Sequence, residues 1–146
     1  MTMTTIERVV ALQRVGLFAE VPGRTLAAVA QRASEVDVPA GTSVIVEGAV
    51  DDHLFAVVRG RLRVHHGEQT LRILEAGATV GELAALVPEP RSASVTALES
   101  ALLLRIDKAV LDELLADRPE LARGVIGALV AMLRASGGPA AGPTTR

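Results

Sequence analysis

The sequence predicts a mainly β fold, a double-stranded β-helix (jelly-roll) barrel, with an N-terminal helical pair before it and two C-terminal helices after it. Three observations indicate this arrangement. Apolar residues recur at helical spacing near the start, fall into short runs separated by glycine between Val36 and Ile106, and return to helical spacing afterwards. The 146 residues suffice for one domain that buries about two thirds of its unfolded surface.

The N-terminal pair of helices is predicted from its capping residues. Thr4 and Glu7 have the spacing of a capping box, and the apolar residues that follow recur at helical spacing. Pro22 opens a second helical pattern that continues through Leu26 and Val29. We therefore expect two short helices ahead of the barrel.

The segment between Val36 and Ile106 is predicted to form about seven or eight strands. Glycines separate its apolar runs, and His66-Gly67-Glu68 has the composition of a hairpin turn. The runs that fit strands are 44–46, 54–58, 62–64, 71–74, 95–97 and 102–106.

Two helices are predicted after the barrel. Asp107 precedes an apolar pattern at 110–115 and is expected to cap that helix, and Pro119 opens a final helix that runs to about Arg134. Apolar residues of the final helix spread over more than one face, which is more than packing against one neighbour requires. Gly124 and Gly127 weaken this helix by about 1 kcal/mol each relative to alanine.

The last ten residues, 137–146, have the composition of a linker or frayed tail. No second domain is required by the length of the chain. We therefore expect a folded domain at 1–136 and a flexible tail or linker at 137–146.

Charge and aromatic content argue against a nucleic-acid partner. The chain has 15 basic and 17 acidic residues, a net charge of −2, and so lacks a basic field that would attract a polyanion. Its two aromatic residues, Phe18 and Phe55, are too few to build a stacking platform for single-stranded nucleic acid.

Cysteine is absent, which excludes disulfides, thiolate catalysis and thiolate metal ligands. The first residues lack the pattern of a signal peptide, and the longest strongly apolar stretch, 125–133, is shorter than the roughly 18 to 20 residues that cross a bilayer. We expect a soluble cytoplasmic domain with no membrane partner through this chain.

The histidines and carboxylates do not suggest catalysis. His65 and His66 are adjacent, so on a strand their side chains would point to opposite faces and could not share a metal ion. No nucleophile with a base beside it can be argued from the pattern. We predict a non-enzyme without catalytic residues, metal ligands or a cofactor, and a metal-dependent β-barrel enzyme is the most distant alternative.

The segment 80–95 reads VGELAALVPEPRSASV and predicts a pocket for a small anion that carries hydroxyls. Gly81 precedes a short helix-forming run at 82–86, whose first N–H groups lack carbonyl partners and can face an oxyanion. Two prolines end that run. Arg91 follows them, and its planar guanidinium can donate to two phosphate oxygens at once.

Ser92 and Glu82 extend this interpretation. The Ser92 hydroxyl could bond the same phosphate as Arg91. An ionised Glu82 only accepts hydrogen bonds, so its partner must be a donor, and a sugar hydroxyl is the obvious one. A ribose phosphate therefore suits these residues. The alternative is ordinary helix punctuation and surface charge, in which case no anion binds.

The segment resembles the phosphate-binding cassette of cyclic nucleotide-binding domains, whose pattern is roughly Phe-Gly-Glu-Leu-Ala-Leu, a few residues, then Pro-Arg-Ser/Ala/Thr-Ala-Thr-Val. The spacing from Gly81 to Arg91 matches that pattern. The similarity extends over most of the chain. Its other elements are Gly-Leu-Phe at 16–18, Val-Pro-Ala-Gly at 38–41, Glu47-Gly48, Leu54-Phe55, Arg59-Gly60 and Gly77.

The resemblance implies a role for each cassette residue. Glu82 would bond the ribose 2′-hydroxyl, Arg91 the cyclic phosphate, and Ser92 the phosphate or the base. The backbone of the two residues after Glu82 would complete the cradle. The ligand-binding positions implied in this way are Gly81, Glu82, Leu83, Ala84, Arg91, Ser92 and Ala93.

The resemblance also implies a function for the final helix, 119–134. It would close over the base, with Val130, Met132 and Leu133 as the lid, or pair with a second copy or an effector domain. The predicted function is a regulatory module that senses a cyclic nucleotide, cAMP rather than cGMP because cAMP is the commoner ligand of bacterial relatives. The alternative is a fold relative that binds no nucleotide and serves as an interaction or dimerisation module.

Two departures from the family pattern concern the ligand more than the fold. The family usually has Gly-Asp before the strand that begins at Leu54, whereas this chain has Asp51-Asp52 in the preceding run. A residue other than glycine at 51 is expected to strain or reshape that turn. Thr79 and Val80 stand where aromatic residues are usual.

Overall fold

The two helices at the start are present, and the first has the capping box that its sequence predicts. The computed structural model describes residues 2–81 and 90–135, and in it helix α1 spans Thr5–Gln13 and helix α2 spans Gly23–Arg32. Thr4 Oγ1 accepts from the Glu7 N–H at 3.1 Å, and the Glu7 carboxylate accepts from the Thr4 N–H at 2.7 Å. The capping box is therefore confirmed. A 3-10 helix, Gly16–Phe18, joins the two helices.

The strands confirm the jelly-roll prediction. Within the described residues eight strands pair antiparallel in two four-stranded sheets, with the orders β1-β8-β3-β6 and β2-β7-β4-β5. The strands are β1 (Ser34–Val38), β2 (Ser43–Ile45), β3 (His53–Arg59), β4 (Leu62–His66), β5 (Gln69–Leu74), β6 (Thr79–Val80), β7 (Ser94–Ala97) and β8 (Ala101–Asp107). β4 ends and β5 begins around Gly67, as the hairpin prediction requires.

Strands β3 and β8 separate two apolar cores because alternate side chains point to opposite faces of a sheet. Leu54 and Ile106 lie in a core shared with the helices. Phe55, Val57 and Leu103 lie in a second core inside the barrel. This two-sided burial explains why both strands are almost continuously apolar in sequence.

The two C-terminal helices are α3 (Lys108–Asp117) and α4 (Pro119–Ala135). Leu121 and Val125 of α4 are buried in the helical core. The principal contacts of α4 are with the 3-10 helix and with α3. The final helix thus packs against other helices, and Ile126 on its other side is 60% exposed. None of the helices in the described ranges has the length and hydrophobicity needed to cross a bilayer.

Candidate functional site

The backbone of Arg91 is bonded to the segment that precedes β3. The Arg91 N–H donates to the Ala49 carbonyl at 2.8 Å, and the Arg91 carbonyl accepts from the Gly48 N–H at 2.8 Å. An antiparallel bridge between Val50 and Pro90 continues this pairing. The position of Arg91 is therefore determined by a segment about forty residues earlier in the chain, which no local sequence pattern specifies.

The Arg91 side chain is buried, with 5% of its surface exposed. Its Nε donates to Asp51 Oδ1 at 2.9 Å. Its Nη2 also donates to Asp51 Oδ1, and it donates to the His53 carbonyl at 2.6 Å. A buried charge requires such partners, because a guanidinium removed from water without them costs several kcal/mol.

Gly81 lies directly against this guanidinium. A Cβ at position 81 would lie 2.6 Å from Arg91 Nη1 and 2.6 Å from the His53 carbonyl oxygen. The backbone at Gly81 also has φ +89°, a conformation that side chains disfavour. Gly81 and Arg91, which the sequence analysis assigns to one ligand site, are thus in contact, and this close approach explains why position 81 is glycine. Their role in binding a ligand stays a prediction.

Asp51 is a partner of Arg91 that the sequence analysis does not identify. Burial alone would raise the pKa of the Asp51 carboxyl, but the hydrogen bond and charge of Arg91 outweigh burial and hold that pKa below its usual range. Its signal in the sequence was the acidic residue where the family usually has glycine. The sequence predicts that this residue changes the turn, and in the structure its carboxylate is also the counter-ion of Arg91.

His53 connects the site to the start of α3. Its carbonyl accepts from Arg91, and its Nδ1 lies 2.9 Å from Asp107 Oδ1. Arg105 Nε lies 3.3 Å from the same oxygen. The predicted side-chain cap from Asp107 is wrong: Asp107 occupies the N-cap position, but its side chain makes no capping bond and lies against His53 and Arg105 instead.

The remaining cassette residues are described in part. Ser92 is exposed, and Ala93 packs against the barrel core. Glu82, Leu83 and Ala84 lie outside the described residues, so their roles remain predictions. The geometry given above therefore concerns Gly81 and the part of the cassette that begins at Pro90.

The three residues expected to form the lid lie near the end of α4. Met132 lines an open groove of about 790 Å³ between α4 and the 3-10 helix, and a Cβ at Gly16 would lie 3.5 Å from Met132 Cε. Val130 is 39% exposed and Leu133 is 51% exposed. Their closure over a base remains a prediction.

His65 and His66 diverge, as their adjacency in a strand predicts. His65 Nε2 lies 2.7 Å from Thr96 Oγ1, whereas His66 Nδ1 lies 3.0 Å from a carboxylate oxygen of Glu47. Over residues 2–81 and 90–135, no three His, Cys, Asp or Glu side chains are grouped so that they could hold a metal ion.

Comparison with known proteins identifies what this architecture is similar to. The family described as "Cyclic nucleotide-binding domain" matches residues 35–118. The CRP-like cAMP-activated global transcriptional regulator of Mycobacterium tuberculosis (strain CDC 1551 / Oshkosh) is 30% identical over 128 residues, covering 84% of this chain and 57% of the regulator. The chain thus spans little more than half the length of that relative.

Two solved structures share the fold. The N-terminal domain of a transcriptional regulator from Streptomyces coelicolor A3(2) superposes with a TM-score of 0.78 at 30% identity, over 87% of this chain and 92% of that one. The regulatory domain of Toxoplasma gondii PKA, solved with cAMP, gives a TM-score of 0.69 at 25% identity, over 75% of this chain and 44% of that one.

Proposed function

The chain belongs to the cyclic nucleotide-binding domain family, and from this premise we propose that it binds a cyclic purine mononucleotide, cAMP in preference to cGMP, as a non-enzymatic regulatory module. The observation that carries the proposal is the buried Arg91 guanidinium against Gly81. Arginine is suited to phosphate because its charge is permanent and its N–H groups diverge in a planar fork. A relative solved with cAMP supports the choice of ligand.

The proposed binding mode places the cyclic phosphate at Arg91 and the ribose 2′-hydroxyl at Glu82. Leu83 and Ala84 contribute backbone donors, and Ser92 bonds the phosphate or the base. These assignments rest on the match of the cassette to its family pattern, with Ala93 closing the segment.

The proposed output is movement of α4. Val130, Met132 and Leu133 cover the base when the nucleotide binds, and the helix transmits that change to a second copy or to an attached effector domain. Shifting such a lid from 1:99 to 99:1 requires about 5.5 kcal/mol of differential affinity. Removing one partner of a buried charge pair typically costs about 2 to 5 kcal/mol, so an Arg–phosphate contact supplies much of the requirement.

The test is calorimetric titration of the parent protein and Arg91→Ala with cAMP and with cGMP. We expect the parent to bind and the variant to lose at least about 2 kcal/mol of binding free energy, because the phosphate loses its charged donor. Arg61→Ala is the matched control, since Arg61 is an exposed arginine that also pairs with one carboxylate. Binding by Arg91→Ala that equals the parent would contradict the proposal.

A thermal-melt comparison separates this proposal from an interaction module that binds no nucleotide. A ligand at a hundred times its Kd stabilises a domain by about 2.7 kcal/mol. Failure of both nucleotides to raise the Tm, together with self-association that depends on concentration, would favour the interaction module.

A further inference from the structure

We propose that the Asp51 carboxylate competes with a ligand phosphate for Arg91. This carboxylate occupies the edge of the guanidinium that the phosphate would use, and it thereby lowers the affinity of the site for its ligand. The inference rests on the proposed nucleotide-binding function. It assigns to Asp51 the tuning of affinity, a role distinct from holding Arg91 in place.

The hydrogen-bond geometry supports competition. A guanidinium presents its Nε–H and one Nη–H side by side, and this edge matches a carboxylate or two phosphate oxygens. In this domain Asp51 Oδ1 accepts from both Nε and Nη2 of that edge. The His53 carbonyl accepts from Nη2 as well. A phosphate that approaches Arg91 therefore meets Nη1, beside Gly81, or must displace the carboxylate.

The electrostatics act in the same direction. Asp51 neutralises the charge of Arg91, and a phosphate placed at the same guanidinium would be repelled by the carboxylate in a partly buried setting. Asp51 is 29% exposed at its side chain, whereas Arg91 is 5% exposed. The carboxylate can therefore turn towards water when a phosphate replaces it, while the arginine stays buried.

Other contacts than Asp51 hold Arg91 in position. Its backbone N–H donates to the carbonyl of residue 49, and its carbonyl accepts from the N–H of residue 48. Its Nη2 donates to the His53 carbonyl. Removal of the Asp51 carboxylate therefore leaves Arg91 in its position but without a counter-ion. The ligand-free domain should become less stable, and phosphate binding should become tighter, because the phosphate then supplies the missing charge.

The opposed changes in stability and affinity distinguish competition from positioning. If Asp51 served to orient Arg91, its removal would weaken both the ligand-free domain and nucleotide binding. The experiment compares Asp51→Asn with Asp52→Asn, which removes the same charge from the adjacent position. Asp52 is 51% exposed and lies 3.7 Å from His53 Nδ1, so it controls for the general loss of one negative charge.

Nucleotide affinity is measured by calorimetry and the Tm by thermal melting for both variants. We expect Asp51→Asn to bind cAMP about tenfold more tightly than the parent, with a lower Tm when no nucleotide is present, and Asp52→Asn to resemble the parent in both. Asp51→Gly, which places at 51 the residue usual in the family, is the second variant should Asp51→Asn fail to fold. It should show the same tightening.

A further titration with inorganic phosphate, at ionic strength matched with chloride, separates failure of this inference from failure of the proposed function. Stabilisation of Asp51→Asn by phosphate without nucleotide binding by either protein would remove the proposed function and support the competition. Nucleotide binding by the parent that is equal or weaker in both Asp51 variants would overturn the competition and leave the proposed function intact. No response of any protein to nucleotide or phosphate would overturn both.

Discussion

Val21 fills the space that a side chain at Gly124 would need. Val21 Cγ2 lies 2.6 Å from the position of a Cβ built on Gly124, where α4 crosses the loop before α2. At Gly127, on the same helix, nothing lies within 4 Å of the corresponding position. Helix propensity alone predicts that alanine stabilises the helix equally at both positions. Because their surroundings differ, we predict opposite effects on stability.

Gly127→Ala should stabilise the domain by up to about 1 kcal/mol, because alanine favours the helix and meets no neighbour. Gly124→Ala should destabilise it, because overpacking against a stiff, branched side chain costs about 1 to 3 kcal/mol and exceeds the gain in helix propensity. Urea unfolding of both variants measures the difference. Equal stabilisation by both would show that the contact with Val21 is not constraining.

Gly81→Ala should impair both folding and nucleotide binding, because the added methyl group would displace the Arg91 guanidinium. Gly41→Ala is its control: Gly41 has φ +87°, close to the +89° of Gly81, but nothing lies within 4 Å of its added Cβ. The control should lose about 1 to 2 kcal/mol of stability from backbone strain alone. We expect a larger loss for Gly81→Ala, together with weaker cAMP binding by calorimetry. Identical losses and unchanged binding would contradict the close packing of Gly81 and Arg91.

Glu35 should contribute a stability that disappears in acid. The hydrogen bond from Arg8, together with the one from the Met3 N–H, holds the pKa of the Glu35 carboxyl below its ordinary value of 4.5. A pKa that is lower in the folded state means that the stabilisation is present above the unfolded pKa and is lost as pH falls through the folded pKa. The ion pair joins α1 to β1, and Arg8 also donates to the carbonyls of Ala30 and Ala33 at the end of α2.

Glu35→Gln should therefore lower the urea midpoint at neutral pH, with a difference from the parent that shrinks as the pH falls below 4.5. Glu113→Gln is the matched control, because Glu113 pairs with Arg32 at the surface and its side chain is 56% exposed. Surface pairs of this kind contribute little to stability. A difference for Glu35→Gln that does not change with pH would argue against the ion pair.

The exposed face of α4 is expected to be where a second copy binds. Ile126 is 60% exposed, and burial of such a side chain in an interface is favourable by roughly 1.5 to 3 kcal/mol. Ile126→Glu should therefore reduce self-association in sedimentation equilibrium. Ile6→Glu on α1 is the control, since Ile6 is also exposed, at 76%. If the parent remains monomeric at every concentration with and without cAMP, an attached effector domain becomes the better proposal.

The predictable parts of this protein are those specified by neighbouring residues. The capping box at Thr4 and Glu7, the hairpin at Gly67 and the start of the last helix at Pro119 follow from spacing and from the chemistry of each residue type. Strands β1 and β6 were not among the predicted runs. β1 is only partly apolar and β6 is two residues long, so their pairing with β8 and β3 defines them.

The sequence by itself determined that this chain forms a jelly-roll domain, and it predicts a phosphate-binding cassette, because glycine punctuation, helical spacing and the Gly81-to-Arg91 pattern are all local. Only the tertiary structure decided how deeply Arg91 is buried and which groups its guanidinium contacts. Asp51 is its counter-ion, and Asp107 faces His53 instead of capping α3. Both pairings join residues far apart in the chain, and the energy of an ion pair depends on distance and burial, which are established only once the strands have paired.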